Sequence, residues 1–233
     1  MTTRWALHFL LLSMVVCSIQ ASAESLWDQL QPNHREMLQS GQVVELEEEI
    51  NGSPWPRFTI YQLAKSTPEK VASVFWNSEL DPKYVPNCLS ARIISRPRPS
   101  VQDTEYTLKM PLFLPDEVYT ARNELKKVSP DIYEVSWKVL QSRYTKECSG
   151  SLRIESGGGL TLLCYSNLVV PGSKVAGLLR SRAGTQVVDA VKALVHQVEL
   201  EEKEDQSLLN RQVEALRMSL SGSESSPVPA VVK

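Results

Sequence analysis

Residues 159–200 constrain this chain more than any other stretch. They read as a strand that turns through Pro171-Gly172 into the longest amphipathic helix of the sequence. Val187, Val188, Val191, Leu194, Val195 and Val198 recur at spacings of one, three and four, which a 3.6-residue period gathers on one side. A helix with one broad apolar face needs a surface on which to bury it. Upstream, short alternating segments are separated by Gly, Pro, Asn and Asp, the pattern of an antiparallel sheet. The expected fold class is therefore α+β, a curved antiparallel sheet wrapped around one long C-terminal helix.

Residues 1–23 have the layout of a secretory signal: Arg4 precedes the apolar run 9–16, and Ala21-Ser22-Ala23 offers a small-residue cleavage site. A retained anchor needs about 20 apolar residues, more than this run holds. Cys17 invites comparison with a lipidated N-terminus, but Val16 stands where bacterial lipoprotein signals carry Gly, Ala or Ser. The expectation is an exported protein, periplasmic or extracellular after cleavage near Ala23, with 210 residues left. That length suits one domain with extensions. A helical segment at 24–41 precedes a main domain at 42–200, followed by a helical extension at 201–219 and a disordered tail at 220–233. Without Arg4 the chain carries 24 basic and 27 acidic residues, a balance that argues against nucleic acid as a partner.

Cys88, Cys148 and Cys164 remain after cleavage, so at most one internal bridge is available. A three-residue loop within Ser156-Gly157-Gly158-Gly159 places Cys148 opposite Ser166, one same-face step from Cys164. The expected state is three small buried thiols with no disulfide.

Strands are expected at 42–50 and 57–65, joined through Asn51-Gly52, with Glu47-Glu48-Glu49 forming a solvated edge. Ser66-Thr67-Pro68-Glu69 opens a helix running to about Asn77: a hydroxyl cap, Pro where its missing N–H costs little, and an acid at the positive end. Asp81-Pro82 and Val85-Pro86-Asn87 break a second short helix before a strand at 89–95. Five strands follow. Their inward sets are Tyr106, Leu108, Met110 and Leu112; Tyr119, Ala121 and Leu125; Tyr133, Val135, Trp137 and Val139; and Tyr144, Cys148, Leu152 and Ile154. Clean alternation of this kind means one covered face and one wet face. The fifth strand, 160–170, is apolar on both parities and needs cover on both sides. The charged run 201–205 reads as the last helix continuing into solvent. Leu208, Leu209, Val213 and Leu216 then form a stripe suited either to packing back on the domain or to a protein partner through 206–218.

An enzyme needs convergent acid, base or nucleophile groups. Beyond the signal, the chain offers His34, outside the main domain, and His196, beside the apolar stripe of the last helix. No metal-ligand, nucleophile-elbow or phosphate-loop pattern occurs, so neither catalytic residues, nor a metal, nor a cofactor is expected. Lys146 alone keeps an enzymatic alternative open. Regular alternation aims its ammonium inward with Tyr144 and Cys148, whereas a bulge turns it to solvent.

The order of two strands, two short helices, six strands and one long helix resembles the helix-grip superfamily of START lipid-transfer domains, birch-pollen-allergen-like proteins and polyketide cyclases. The resemblance covers 42–200. It is carried by Ser66-Thr67-Pro68-Glu69-Lys70-Val71, Leu80-Asp81-Pro82-Lys83-Tyr84-Val85-Pro86-Asn87, Met110-Pro111-Leu112 before Asp116-Glu117-Val118-Tyr119, and Pro171-Gly172. Asp116-Glu117 departs from the Arg-Asp that usually opens this strand in START-like chains. The resemblance implies an apolar cavity between sheet and helix that holds a lipid-like small molecule. Its expected lining is Tyr106, Met110, Leu112, Tyr119, Trp137, Tyr144, Lys146, Leu179, Val187, Val191 and Val195. An interaction protein working through 206–218 and a cyclase-like enzyme using Lys146 are the alternatives. Val169, Val170, Pro171, Val175, Leu178 and Leu179, ringed by Lys174, Arg180 and Arg182, further suggest a lip for transient contact with an anionic membrane surface. The other reading of this corner is the plain start of a buried helix.

Overall fold

A computed structural model describes residues 25–110, 114–172 and 180–222. Two short helices, α1 (Leu26–Gln29) and α2 (Pro32–Gln39), precede strands β1 (Val44–Glu48) and β2 (Arg57–Ala64). Helix α3 (Pro68–Trp76), a tight turn at Ser78–Leu80 and the one-turn helix α4 (Asp81–Tyr84) follow. Six more strands run in sequence: β3 (Cys88–Arg98), β4 (Val101–Leu108), β5 (Glu117–Ser129), β6 (Ile132–Ser142), β7 (Thr145–Gly157) and β8 (Leu160–Pro171). Helices α5 (Arg180–Glu204) and α6 (Gln206–Ser221) close the described chain. The expected α+β order is present.

All eight strands form one antiparallel sheet in the order β1-β2-β8-β7-β6-β5-β4-β3, with α5 lying against β2 and α3. Alternation delivers Tyr133, Val135, Leu152, Ile154 and Leu163 to the inner face, where they meet Leu194, Val195 and Val198 of α5 and Val71, Ala72 and Val74 of α3. Each such fully buried aliphatic side chain contributes about 1.5–3 kcal/mol. Helix α3 starts where its caps dictate: Thr67 Oγ1 accepts the Lys70 N–H at 3.4 Å, and Pro68 occupies the first turn. β1, with four of its five residues exposed, is an edge strand as the triple-glutamate run requires.

Strand β8 is covered on both faces. Leu163 enters the main core, while Leu162 on the opposite parity packs with Leu30, Leu38 and Val44 beneath the N-terminal helices. Glu155 ties that outer layer down by accepting the Ser25 hydroxyl at 3.0 Å and the Leu26 N–H. The β7–β8 turn is tighter than expected. Gly157 pairs with Leu160, so the loop is Gly158-Gly159 alone, with φ of +60° and +81°, the positive values that two-residue hairpins favour. Cys148 consequently faces Val169 and Cys164 faces Arg153, and Cys88, Cys148 and Cys164 are all free thiols.

Helix α5 continues through the charged run as far as Glu204, with Lys203 and Glu204 exposed and Glu201 buried. Asp205 breaks it, accepting the Leu208 N–H at 3.0 Å as the cap of α6, which turns back onto α3, α5 and β5. Leu209 and Leu216 join the main core, and Trp76 Nε1 donates to Ser219 Oγ at 3.1 Å. Glu201, almost fully buried, accepts the side-chain amides of Gln197 and Gln212 at 2.7 and 3.4 Å. Leu209 and Leu216 of the second apolar stripe are thus buried inside the domain, while Leu208 and Val213 are half-buried. Burial took precedence over charge here because the acids divide: Glu202 pairs with Lys70, while Glu204 and Asp205 face water.

Candidate functional site

Between the inner face of the sheet and the middle of α5 lies a cavity of about 180 Å³. Its floor comes from inward positions of β4 to β8: Tyr106, Tyr119, Ala121, Asn123, Val135, Trp137, Cys148, Tyr165 and Asn167. Ala190, Val191 and Leu194 of α5 form the roof, and Phe75, Trp76, Ser78, Asp81 and Tyr84 close one side. Aromatic rings dominate. Tyr106 and Tyr119 are cross-strand partners and stack with centroids 5.0 Å apart, and Trp137 lies between Tyr165 at 4.9 Å and Phe75 at 6.0 Å. Trp137 Nε1 donates to Asn167 Oδ1 at 3.1 Å, an acceptor also approached by the Cys148 thiol.

The opposite wall is polar. Gln102 Nε2 donates to the Trp76 carbonyl at 3.0 Å and to Ser78 Oγ at 3.2 Å, Ser78 and Thr104 share a hydroxyl contact, and Asn123 Nδ2 donates to Thr104 Oγ1. Tyr84 donates its hydroxyl to Asp81 Oδ1 at 2.9 Å. Burial pushes the Asp81 carboxyl up to about 8, against the opposing effect of its bonds to Tyr84 and Tyr106. Burial likewise raises the hydroxyls of Tyr84, Tyr106 and Tyr119 well above the usual tyrosine value, so all three remain neutral donors. The Cys88 and Cys148 thiols are raised to about 12, chiefly by desolvation, which removes them as nucleophiles at neutral pH.

Of the residues expected from sequence, Tyr106, Tyr119, Trp137 and Val191 line this cavity. Val195 lies beneath it in the core; Val187 and Met110 are half-buried and off its wall. Tyr144 sits at the β6–β7 turn with the Arg143 guanidinium 5.9 Å from its ring centre. Lys146 is exposed. A bulge between Thr145 and Glu147 breaks the alternation that had aligned Tyr144, Lys146 and Cys148, and only Cys148 reaches the cavity. Leu112, Leu179 and Lys174 lie outside the described residues, as do the side chains of Arg180 and Arg182 and the whole of 1–23.

Asp81, Gln102, Asn123 and Asn167 are wall residues that the sequence did not yield. A usable signal existed for two of them: Asn123 and Asn167 are polar side chains at positions whose parity is otherwise apolar. Glu117, at the departure from the START-like pattern, has a structural task. It accepts the Ser142 hydroxyl and the Arg143 and Tyr144 N–H groups, fixing the β6–β7 turn.

No family model matches the chain, and no curated protein matches it. Solved structures do. A STAR-related lipid transfer protein from Xanthomonas axonopodis is similar at a TM-score of 0.61 and 13% identity, over 67% of this chain and 93% of that one. Human STARD10 is similar at 0.54 and 14%, over 83% and 91%, and the Zhui aromatase/cyclase from Streptomyces sp. R1128 at 0.51 and 12%, over 70% and 98%. At such identities the likeness is one of architecture. With its eight-stranded antiparallel sheet closed around a long C-terminal helix, the chain has the START-like helix-grip fold.

Proposed function

We propose that the protein binds an apolar small molecule between the sheet and α5, as an exported binding or transfer protein. The observation that carries this reading is the cavity itself: space left open beneath a helix that elsewhere packs tightly, and walled by Phe75, Trp76, Tyr119, Trp137 and Tyr165. A core of this composition closes when nothing has to enter it, because every unfilled void forfeits packing contacts. The volume of about 180 Å³ is close to that of an engineered apolar cavity of about 150 Å³ that admits benzene. A ring-sized molecule fits as the walls stand; a longer lipid-like chain requires α4 or α5 to move aside. The lipid transfer proteins that share the fold support the same class of ligand, and residues 1–23 support export.

Native mass spectrometry of the purified protein, before and after organic extraction, tests the reading. A ligand that leaves on extraction, or uptake of small aromatics, sterols, quinones or fatty acids by the extracted protein, is the expected result. A protein that carries no ligand and takes up none of them does not work this way.

A further inference from the structure

We propose that Asp81 and Gln102 form the recognition site for the protonated amino group of a ring-sized ligand; this rests on the cavity being a ligand site and names what that site selects. Three independent features converge on it. Asp81 is the cavity's single carboxyl, and among the described residues no lysine, arginine or histidine lines the walls to balance it. Asp81 is half-buried, and a partly desolvated carboxylate without a cation carries a cost that an ammonium supplied by a ligand removes. Gln102, 1% exposed, uses both its amide donor contacts within the wall, while its carbonyl Oε1 has no hydrogen-bond partner. It is a buried acceptor waiting for a donor. Finally, the rest of the wall is rich in aromatic faces, the stacked Tyr106 and Tyr119 and the Trp137 indole among them, surfaces that attract a cation and accommodate a flat ring.

The groups facing Asp81 agree with this assignment. From its own helix comes the Tyr84 hydroxyl, from β4 the Tyr106 hydroxyl, from β3 the Cys88 thiol and from β8 Tyr165. All are neutral at pH 7. From α5, Glu201 faces Tyr84 and is itself faced by Lys83 of α4. An anionic headgroup, whether phosphate or carboxylate, would find no cationic side chain on these walls among the described residues. A hydroxyl of a neutral ligand satisfies one acceptor and leaves the other idle. An ammonium has three N–H donors, enough for the Asp81 carboxyl and the Gln102 carbonyl together.

Binding of an amine converts Asp81 from the acid to the carboxylate, and the proton leaves to buffer. The experiment is isothermal titration calorimetry of the full chain with phenethylamine, phenethyl alcohol, ethylbenzene and phenylpropionate at pH 7, in two buffers of different ionisation enthalpy. Phenethylamine is expected to bind at least about tenfold more tightly than the alcohol and ethylbenzene, with release of close to one proton, and phenylpropionate not to bind. Asp81→Asn is expected to weaken the amine about ten- to hundred-fold, abolish proton release and leave ethylbenzene unchanged. Gln102→Met, isolated as a second variant, is expected to weaken the amine alone. Equal affinity for amine and ethylbenzene in the wild-type protein, or unchanged amine affinity in Asp81→Asn, overturns the assignment while leaving the apolar cavity standing. Failure of all four probes overturns both.

Discussion

Gly150 lies directly beneath the Trp137 indole, its partner across the β6–β7 ladder, so closely that a Cβ added at Gly150 would stand 2.6 Å from Cε2 of the ring. The same Cβ would press on the carbonyl oxygen of Ser166 in β8. The indole can turn, but the backbone oxygen cannot retreat without moving a strand. Gly150→Ala is therefore expected to destabilise the fold by about 2–3 kcal/mol and to displace Trp137 into the cavity. Urea unfolding measures the first effect. Ligand uptake and a changed tryptophan emission spectrum report the second.

Helix α6 is part of the core rather than an appendage. Leu216 is fully buried against the α3 side of the domain, and its truncation to Ala is expected to cost about 3 kcal/mol. Arg217, on the same helix, makes a two-pronged bond to Glu69 at 2.6 and 2.8 Å, yet the pair is exposed and its removal is expected to cost under about 1 kcal/mol. Denaturant unfolding of Leu216→Ala and Arg217→Ala separates the two. Equal losses would mean that the helix is held by charge and not by burial.

The pH dependence of stability carries a signature of Asp81. Its folded value, raised to about 8 by burial, exceeds the unfolded value of about 4, so the folded state holds the proton more tightly. The stabilisation is fully present below about 4 and is lost as pH rises toward about 8. Measured by urea unfolding across that window, wild type is expected to lose stability relative to Asp81→Asn. Parallel profiles would show that the carboxyl ionises freely in the folded protein.

Three thiols and no disulfide are expected in the folded protein. Cys88 and Cys148 are desolvated and raised to about 12, so alkylation by iodoacetamide at pH 8 should be slow in the native state. After denaturation without reductant, mass spectrometry should count Cys88, Cys148 and Cys164 all modified. A species missing two labels would reveal a bridge.

Much of this was legible because periodicity is a direct image of packing. The alternation of Tyr133, Val135, Trp137 and Val139 against Glu134, Ser136 and Lys138 specifies a strand and its inner face together, and Val191, Leu194, Val195 and Val198 do the same for α5. Of the cavity's aromatic wall, Phe75, Trp76, Tyr84 and Tyr165 were not in the expected lining, while Tyr106, Tyr119 and Trp137 followed from these patterns. The cavity's polar half did not, since Asp81 precedes Pro82 and reads locally as a chain break, while Val101-Gln102-Asp103-Thr104-Glu105 looks too polar for a covered strand. Both faces of that stretch are satisfied in three dimensions. Gln102 and Thr104 turn inward to bond Ser78, and Asp103 turns outward to a two-pronged contact with Arg122 at 2.7 and 2.8 Å. Of the two courses open to Lys146, inward by alternation or outward by a bulge, a single extra residue imposes the second, the smallest change that inverts a strand's parity.

The double cover of β8 also governs how freely the chain can vary. On β6 every second side chain meets water, and Lys138 or Leu140 can be exchanged for most residues without touching the core. Leu162 and Leu163 have no such neighbour to absorb a change, because each anchors a different hydrophobic layer. Replacing either removes a contact from one side of the sheet that the other side cannot restore. Tolerance to substitution is therefore lower on β8 than on β6, and the strand leading into α5 is a segment in which random mutation would seldom be silent.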